Sequence, residues 1–153
     1  MRNPIHNHLN GILADHLVLE QKLRHYHWNV TGPQFFALHA KFEEMYNQVA
    51  GSVDEVAERI LTVGGEPVRT LAGALQLATI VEDGEKPGAL KMVENLRGDL
   101  AGLRDRAAAA IGAAEAAGDR GTVNLLDGLC DELEKTVWML HATVAPAAER
   151  VTA

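Results

Sequence analysis

Apolar positions recur at helical spacing along nearly the whole chain, and no segment alternates convincingly with period two. Leu9, Ile12, Leu13, Leu17, Leu19 and Leu23 are the apolar positions of a first helix, from about Ile5 to Val30. Thr31-Gly32-Pro33 breaks it. A second helix opens with Pro33 near its first turn, where a missing N–H is tolerated, and stops at Gly64-Gly65. A third runs from about Pro87 to Ala117 and is rich in alanine; a fourth runs from about Thr122 to Ala145, ended by Pro146. Leu71 to Ile80 predicts a short helix inside the connection between the second and third. At a rise of 1.5 Å per residue the four long segments are each about 40 Å. Similar lengths predict an all-α four-helix bundle with a short extra helix between helices two and three. The long middle connection lets those two helices run parallel. No internal repeat is visible, and alanine supplies the only biased tract.

Composition narrows this picture. At 153 residues the chain is expected to be a single domain, 1–153, and the 47% hydrophobic and 23% charged residues are those of a soluble globular protein. Only 5% are aromatic, which favours helices over a sandwich or barrel. A single cysteine, Cys130, excludes an intrachain disulfide and a cysteine zinc cluster, and fits the reducing cytoplasm. The start, MRNPIHNHLN, lacks the pattern of a signal peptide, and no apolar run approaches the roughly 18 residues of a membrane span. The net charge of −7 argues against a general nucleic-acid binder. The first ten residues carry only Arg2, and the last ten pair Glu149 with Arg150, so no basic tail is expected to override the acidic body.

The candidate chemistry lies on the second helix. His39, Glu43, Asp54 and Glu58 fall at about 0°, 40°, 60° and 100° around its axis, within one arc. An imidazole with three carboxylates suits iron, manganese or zinc better than magnesium or calcium. The stripe cannot be one site, however. His39 and Asp54 lie about 22 Å apart along the axis, against metal–ligand bonds of about 2 Å. An antiparallel copy of the helix from a second chain brings the His39/Glu43 pair of one beside the Asp54/Glu58 pair of the other. A two-fold dimer then makes two identical shared sites. His27, just before the turn, comes alongside His39. The plainer alternative keeps Glu43 and Glu58 as solvated carboxylates, with Asp54 and Glu58 paired to Arg59 or Lys41.

Other groups offer less. No glutamate stands three residues before any histidine, so the Glu-x-x-His pattern of an intrasubunit di-iron bundle is absent. His6 and His8 read as fraying surface residues near the terminus, His16 as buried or structural, and His141 as lying at a helix edge. His25 is about 200° from His27 around the helix and cannot share its site. Ser52 is the only serine and has no basic partner for nucleophilic chemistry. Trp28 reads as packing, with electron donation as the alternative. Asp127 and Asp131 read as a solvated acidic pair, with the lining of a cation channel as the alternative.

The run HWNVTGPQFFALHAKFEEMYNQVAGSVDEVAERILTVGG, His27 to Gly65, closely resembles the signature of the Dps miniferritins. Trp138-Met139-Leu140 matches too, as do the helix lengths and the short middle helix, so the resemblance covers essentially the whole chain. It implies a ferritin-like bundle assembled into a hollow dodecamer, with a ferroxidase centre at the dimer two-fold. His27, His39 and Glu43 would come from one subunit, and Asp54 and Glu58 from its partner. The family often has aspartate where this chain has Glu43, which keeps the charge with a longer reach. The resemblance further implies iron as the metal, with zinc as a substitute. Fe(II) would be oxidised preferentially by hydrogen peroxide, with oxygen as the other oxidant, and ferric mineral stored as protection against oxidative stress. Many relatives bind DNA through Lys/Arg-rich extensions; a DNA-compacting role is therefore the alternative function, disfavoured by the missing basic tail.

Overall fold

The computed structural model describes residues 3–146, which form five helices: α1 Pro4–Asn29, α2 Phe35–Thr62, α3 Leu71–Leu77, α4 Ala89–Ala116 and α5 Arg120–Val144. The fold is an all-α bundle with α3 as its short extra helix. Arg2, Glu149 and Arg150 lie outside the described residues.

Local chemistry sets the helix ends. Asn3 caps α1, its side chain accepting from the Ile5 N–H at 3.1 Å, and Pro4 follows in the first turn. Pro33 sits in the turn before α2 rather than inside it: Gly32 takes a φ of 103°, and the Phe35 N–H closes back onto the Gly32 carbonyl at 3.1 Å. That φ is open to glycine and strained for any residue with a Cβ. The helix α5 starts two residues ahead of the expected Thr122, because Asp119 caps it and accepts from the Thr122 N–H at 3.1 Å.

The third helix stops earlier than the apolar pattern suggests, at Leu77 instead of Ile80. The reason is a rival acceptor. Asp15, fully buried on α1, takes the backbone N–H of Thr79 at 2.6 Å and of Ile80 at 2.9 Å, and the Thr79 hydroxyl at 2.9 Å. Arg106 of α4 completes the cluster at 2.7 Å from Asp15. To reach it the guanidinium crosses α1 at Gly11, where any Cβ would collide with it.

Residue pairs give the helix directions. Going up α1, Asp15 meets Arg106, Lys22 meets Asp99 at 2.7 Å, and Tyr26 meets Asn95 at 3.0 Å, so α1 and α4 are antiparallel. Residues 30–34 fold α2 back along α1, which makes α2 and α4 parallel. The long 63–88 connection permits this. Leu9, Ile12, Leu19 and Leu23 from α1, Phe42 and Ile60 from α2, Met92 and Leu96 from α4 and Leu126 from α5 are fully buried together. Each such side chain contributes about 1.5–3 kcal/mol of transfer free energy. Among the described residues no helix is long and apolar enough to cross a membrane.

Candidate metal centre

At the α1–α2 turn the two histidines face each other. The His27 and His39 rings stack with centroids 3.8 Å apart and planes 11° from parallel. His27 Nδ1 lies 2.6 Å from the His39 carbonyl, and His39 Nδ1 lies 2.7 Å from the His27 carbonyl. A carbonyl only accepts, so each Nδ1 carries the hydrogen, and Nε2 is the nitrogen left to bind a metal. The His27 carbonyl belongs to the last turn of α1 and has no partner within the helix; His39 supplies one. Reciprocal bonds of this kind fix tautomer and ring orientation, as is usual behind a metal-ligating imidazole.

The stack continues on both sides. Phe35 lies against His39 at 4.9 Å, and Tyr46 meets His27 edge-on at 5.4 Å and 73°. The Tyr46 hydroxyl donates to Glu43 Oε1 at 3.2 Å, and the Arg24 guanidinium sits 4.2 Å over the Tyr46 ring. Burial pushes the Tyr46 phenol up from its ordinary value, and the neighbouring Glu43 carboxylate adds to the rise, so the hydroxyl keeps its proton. Sequence reasoning passed over Tyr46. A helical projection contains the signal, since Tyr46 is two turns beyond His39 and three residues beyond Glu43, on the same face.

His27 and His39 are thus neighbours, and Tyr46 touches both His27 and Glu43, whereas Asp54 and Glu58 are carried away along α2 and stand exposed. Among the described residues, no three His, Cys, Asp or Glu side chains of the single chain converge as a metal cage. Nor do Asp54 and Glu58 find the counter-ions the sequence offered. Lys41 pairs with Glu44 at 2.9 Å, and Arg59 with Asp119 at 2.6 Å.

The remaining histidines are occupied elsewhere. His16 is buried, with Nδ1 on the Ile12 carbonyl at 2.8 Å, and burial pushes its pKa down. His25 meets the Glu85 carbonyl at 2.6 Å. His6 departs from the fraying reading: its Nε2 reaches the Val63 carbonyl at 3.0 Å and ties the start of α1 to the end of α2. His141 is exposed on α5, its Nδ1 2.5 Å from an Arg97 nitrogen. Asp127 and Asp131 are exposed on α5. Trp28 does not pack into this chain; it is 62% exposed beside His27, and Phe36 nearby is 85% exposed.

Comparison with known proteins agrees with this architecture. The family model of the ferritin-like domain matches residues 6–147. The DNA protection during starvation protein of Brevibacillus brevis is 43% identical over 134 residues, covering 88% of this chain and 90% of the relative. The crystal structure of Dps from Staphylococcus aureus superposes with a TM-score of 0.93 at 37% identity, covering 95% of this chain and 98% of its own. Dps from Vibrio cholerae, described as a member of a broad superfamily of ferritin-like diiron-carboxylate proteins, follows at 0.90 and 37%, covering 93% and 89%. The bundle with its short middle helix, the paired histidines at the α1–α2 turn and these matches over nearly the full chain lead to one assignment: this protein belongs to the Dps family of ferritin-like proteins.

Proposed function

We propose that the chain is the subunit of an iron-oxidising and iron-storing shell that protects against oxidative stress. Pairs of chains set His27, His39 and Glu43 of one subunit against Asp54 and Glu58 of the partner subunit. Fe(II) binds there as substrate and is oxidised, and ferric mineral collects inside a hollow dodecamer. The observation that carries this reading is the reciprocal lock on His27 and His39, which orients both rings through Nδ1 and leaves Nε2 of each for a metal. The exposure of Trp28 and Phe36 next to them supports a second chain covering the same region.

The donor set fits the chemistry. Imidazoles hold Fe(II), and carboxylates favour the harder Fe(III) product. Zinc accepts the same donors and would compete for them. With hydrogen peroxide as the preferred oxidant, two Fe(II) ions give one electron each, the O–O bond breaks, two protons are taken up and two waters leave. No hydroxyl radical is released, which is the protective part of the reaction. Oxygen is the alternative oxidant. The net charge of −7 attracts cations to the shell, and the exposed Asp127 and Asp131 are candidates for their entry path. A free thiol at Cys130 suits the cytoplasm.

The test is to size the protein and follow Fe(II) oxidation with peroxide and with oxygen in wild type, His39→Ala and Asp54→Ala. A mass of about twelve times 16.5 kDa and loss of oxidation in both variants are expected. A monomer, or unchanged oxidation in both variants, overturns the proposal. Little or no DNA binding is expected at physiological salt, because a chain of net charge −7 repels a polyanion; a clear gel shift at that salt without added divalent metal would refute this part.

A further inference from the structure

We propose that Tyr46 is a positioning residue of the metal centre, holding the Glu43 carboxylate on the His27 side so that its remaining lone pairs face an incoming cation. The inference rests on the proposal that Glu43 is a ligand. Glu43 is exposed on α2, and its only hydrogen bond or ion pair among the described residues is the one it accepts from the Tyr46 hydroxyl at 3.2 Å. A glutamate with three rotatable bonds and no other anchor would sample many orientations in water. Tyr46, by contrast, is fixed independently of Glu43. Its ring stands edge-on to His27, at 5.4 Å and 73°, and its face is covered by Arg24 at 4.2 Å. Arg24 is itself held by two bonds to Glu20, at 3.1 and 3.3 Å.

The hydroxyl is therefore a fixed point referred to the imidazole, and Glu43 is tied to that point. The bond uses one acceptor position on Oε1 and leaves Oε2 and the other lone pairs free. The spacing also explains why glutamate serves at position 43. Aspartate is shorter by one methylene, roughly 1.5 Å, and a 3.2 Å contact lengthened by that amount is no hydrogen bond. Tyr46 can act on a glutamate at this position and not on an aspartate.

Cobalt(II), which binds such donors without being readily oxidised, is the probe. Metal-free assembled protein is titrated with it by calorimetry and visible absorption, in wild type, Glu43→Gln, Tyr46→Phe, Glu43→Asp and the Glu43→Asp/Tyr46→Phe double variant. Size and melting temperature are checked for each. Tyr46→Phe keeps the ring against His27 and removes only the hydroxyl. It is expected to weaken cobalt binding about tenfold, as loss of a ligand-orienting bond typically does, and to have no effect in the Glu43→Asp background. If Glu43→Gln weakens binding but Tyr46→Phe does not, the Tyr46 inference fails and the centre itself stands. If Tyr46→Phe weakens binding equally in both backgrounds, the hydroxyl does not act through Glu43 and the inference is overturned. If Glu43→Gln changes nothing, or wild type binds no cobalt, both this inference and the proposed ligand set fall.

Discussion

Subunit complementation is the strictest test of a centre divided between chains. His39 and Asp54 sit on one helix, α2, which cannot fold back on itself, and about 22 Å of that helix separates them. In a shared centre, His39→Ala spoils the site by removing a ligand from one side, and Asp54→Ala spoils it from the other. A mixed dimer of the two variants then holds one centre lacking both residues and one centre that is fully intact. Random assembly of equal amounts makes about half of all dimers mixed, so about one quarter of the centres are restored. Co-expressed variants with different tags, purified through both tags in turn, supply mixed shells. Their initial rate of ferric absorbance increase should recover to at least about a quarter of wild type, while either parent alone stays near background. The parental shells mixed after assembly are the control and should recover nothing. A co-assembled sample no faster than its parents refutes the shared centre.

Asp15→Ala orphans the buried N–H of Ile80, removes the acceptor of the part-buried Thr79 N–H and leaves Arg106 without its carboxylate, for a loss on the order of 3 kcal/mol; urea unfolding at fixed protein concentration measures it, and a loss under about 1 kcal/mol contradicts the clamp. Gly32→Ala meets no neighbouring atom, so its expected penalty of about 1–3 kcal/mol is backbone strain alone, read from the melting temperature. His16 is held below its ordinary value of 6.5 by burial, so it stabilises the fold above pH 6.5, and that contribution is lost as pH falls through the lower folded value. His16→Gln should flatten the stability profile below pH 6.5, and an unchanged slope there would show that another group carries it.

The four long helices, their glycine and proline breaks and the pairing of His27 with His39 were legible because each depends on residues close in sequence. The distance between His39 and Asp54 was legible too, being fixed by the helix rise alone. What escaped was chemistry between residues of the same chain that are far apart in sequence. Asp15 meets Thr79 and Arg106 across sequence separations of 64 and 91 residues, and no local period encodes such a partner. That is why the apolar pattern runs on to Ile80 while α3 ends at Leu77: the N–H groups that would extend the helix are claimed by a carboxylate on α1. Asp119 was a missed cap of the ordinary kind. Tyr46 was missed because a tyrosine on an apolar face reads first as packing, and its hydroxyl matters only once Glu43 is placed beside it.

The reciprocal lock at the turn has a practical consequence. Each imidazole is held by a main-chain carbonyl of the other residue, and a side-chain substitution leaves that carbonyl in place. Deleting one histidine therefore removes a single imidazole while the survivor keeps its hydrogen bond, so the contribution of each ring can be read separately. The backbone of residues 30–34 is another matter. Surface loops ordinarily tolerate added residues with little harm. Here the loop acts as a calliper for both rings at once, so one inserted residue would throw both donors out of register while the bundle beneath stayed folded.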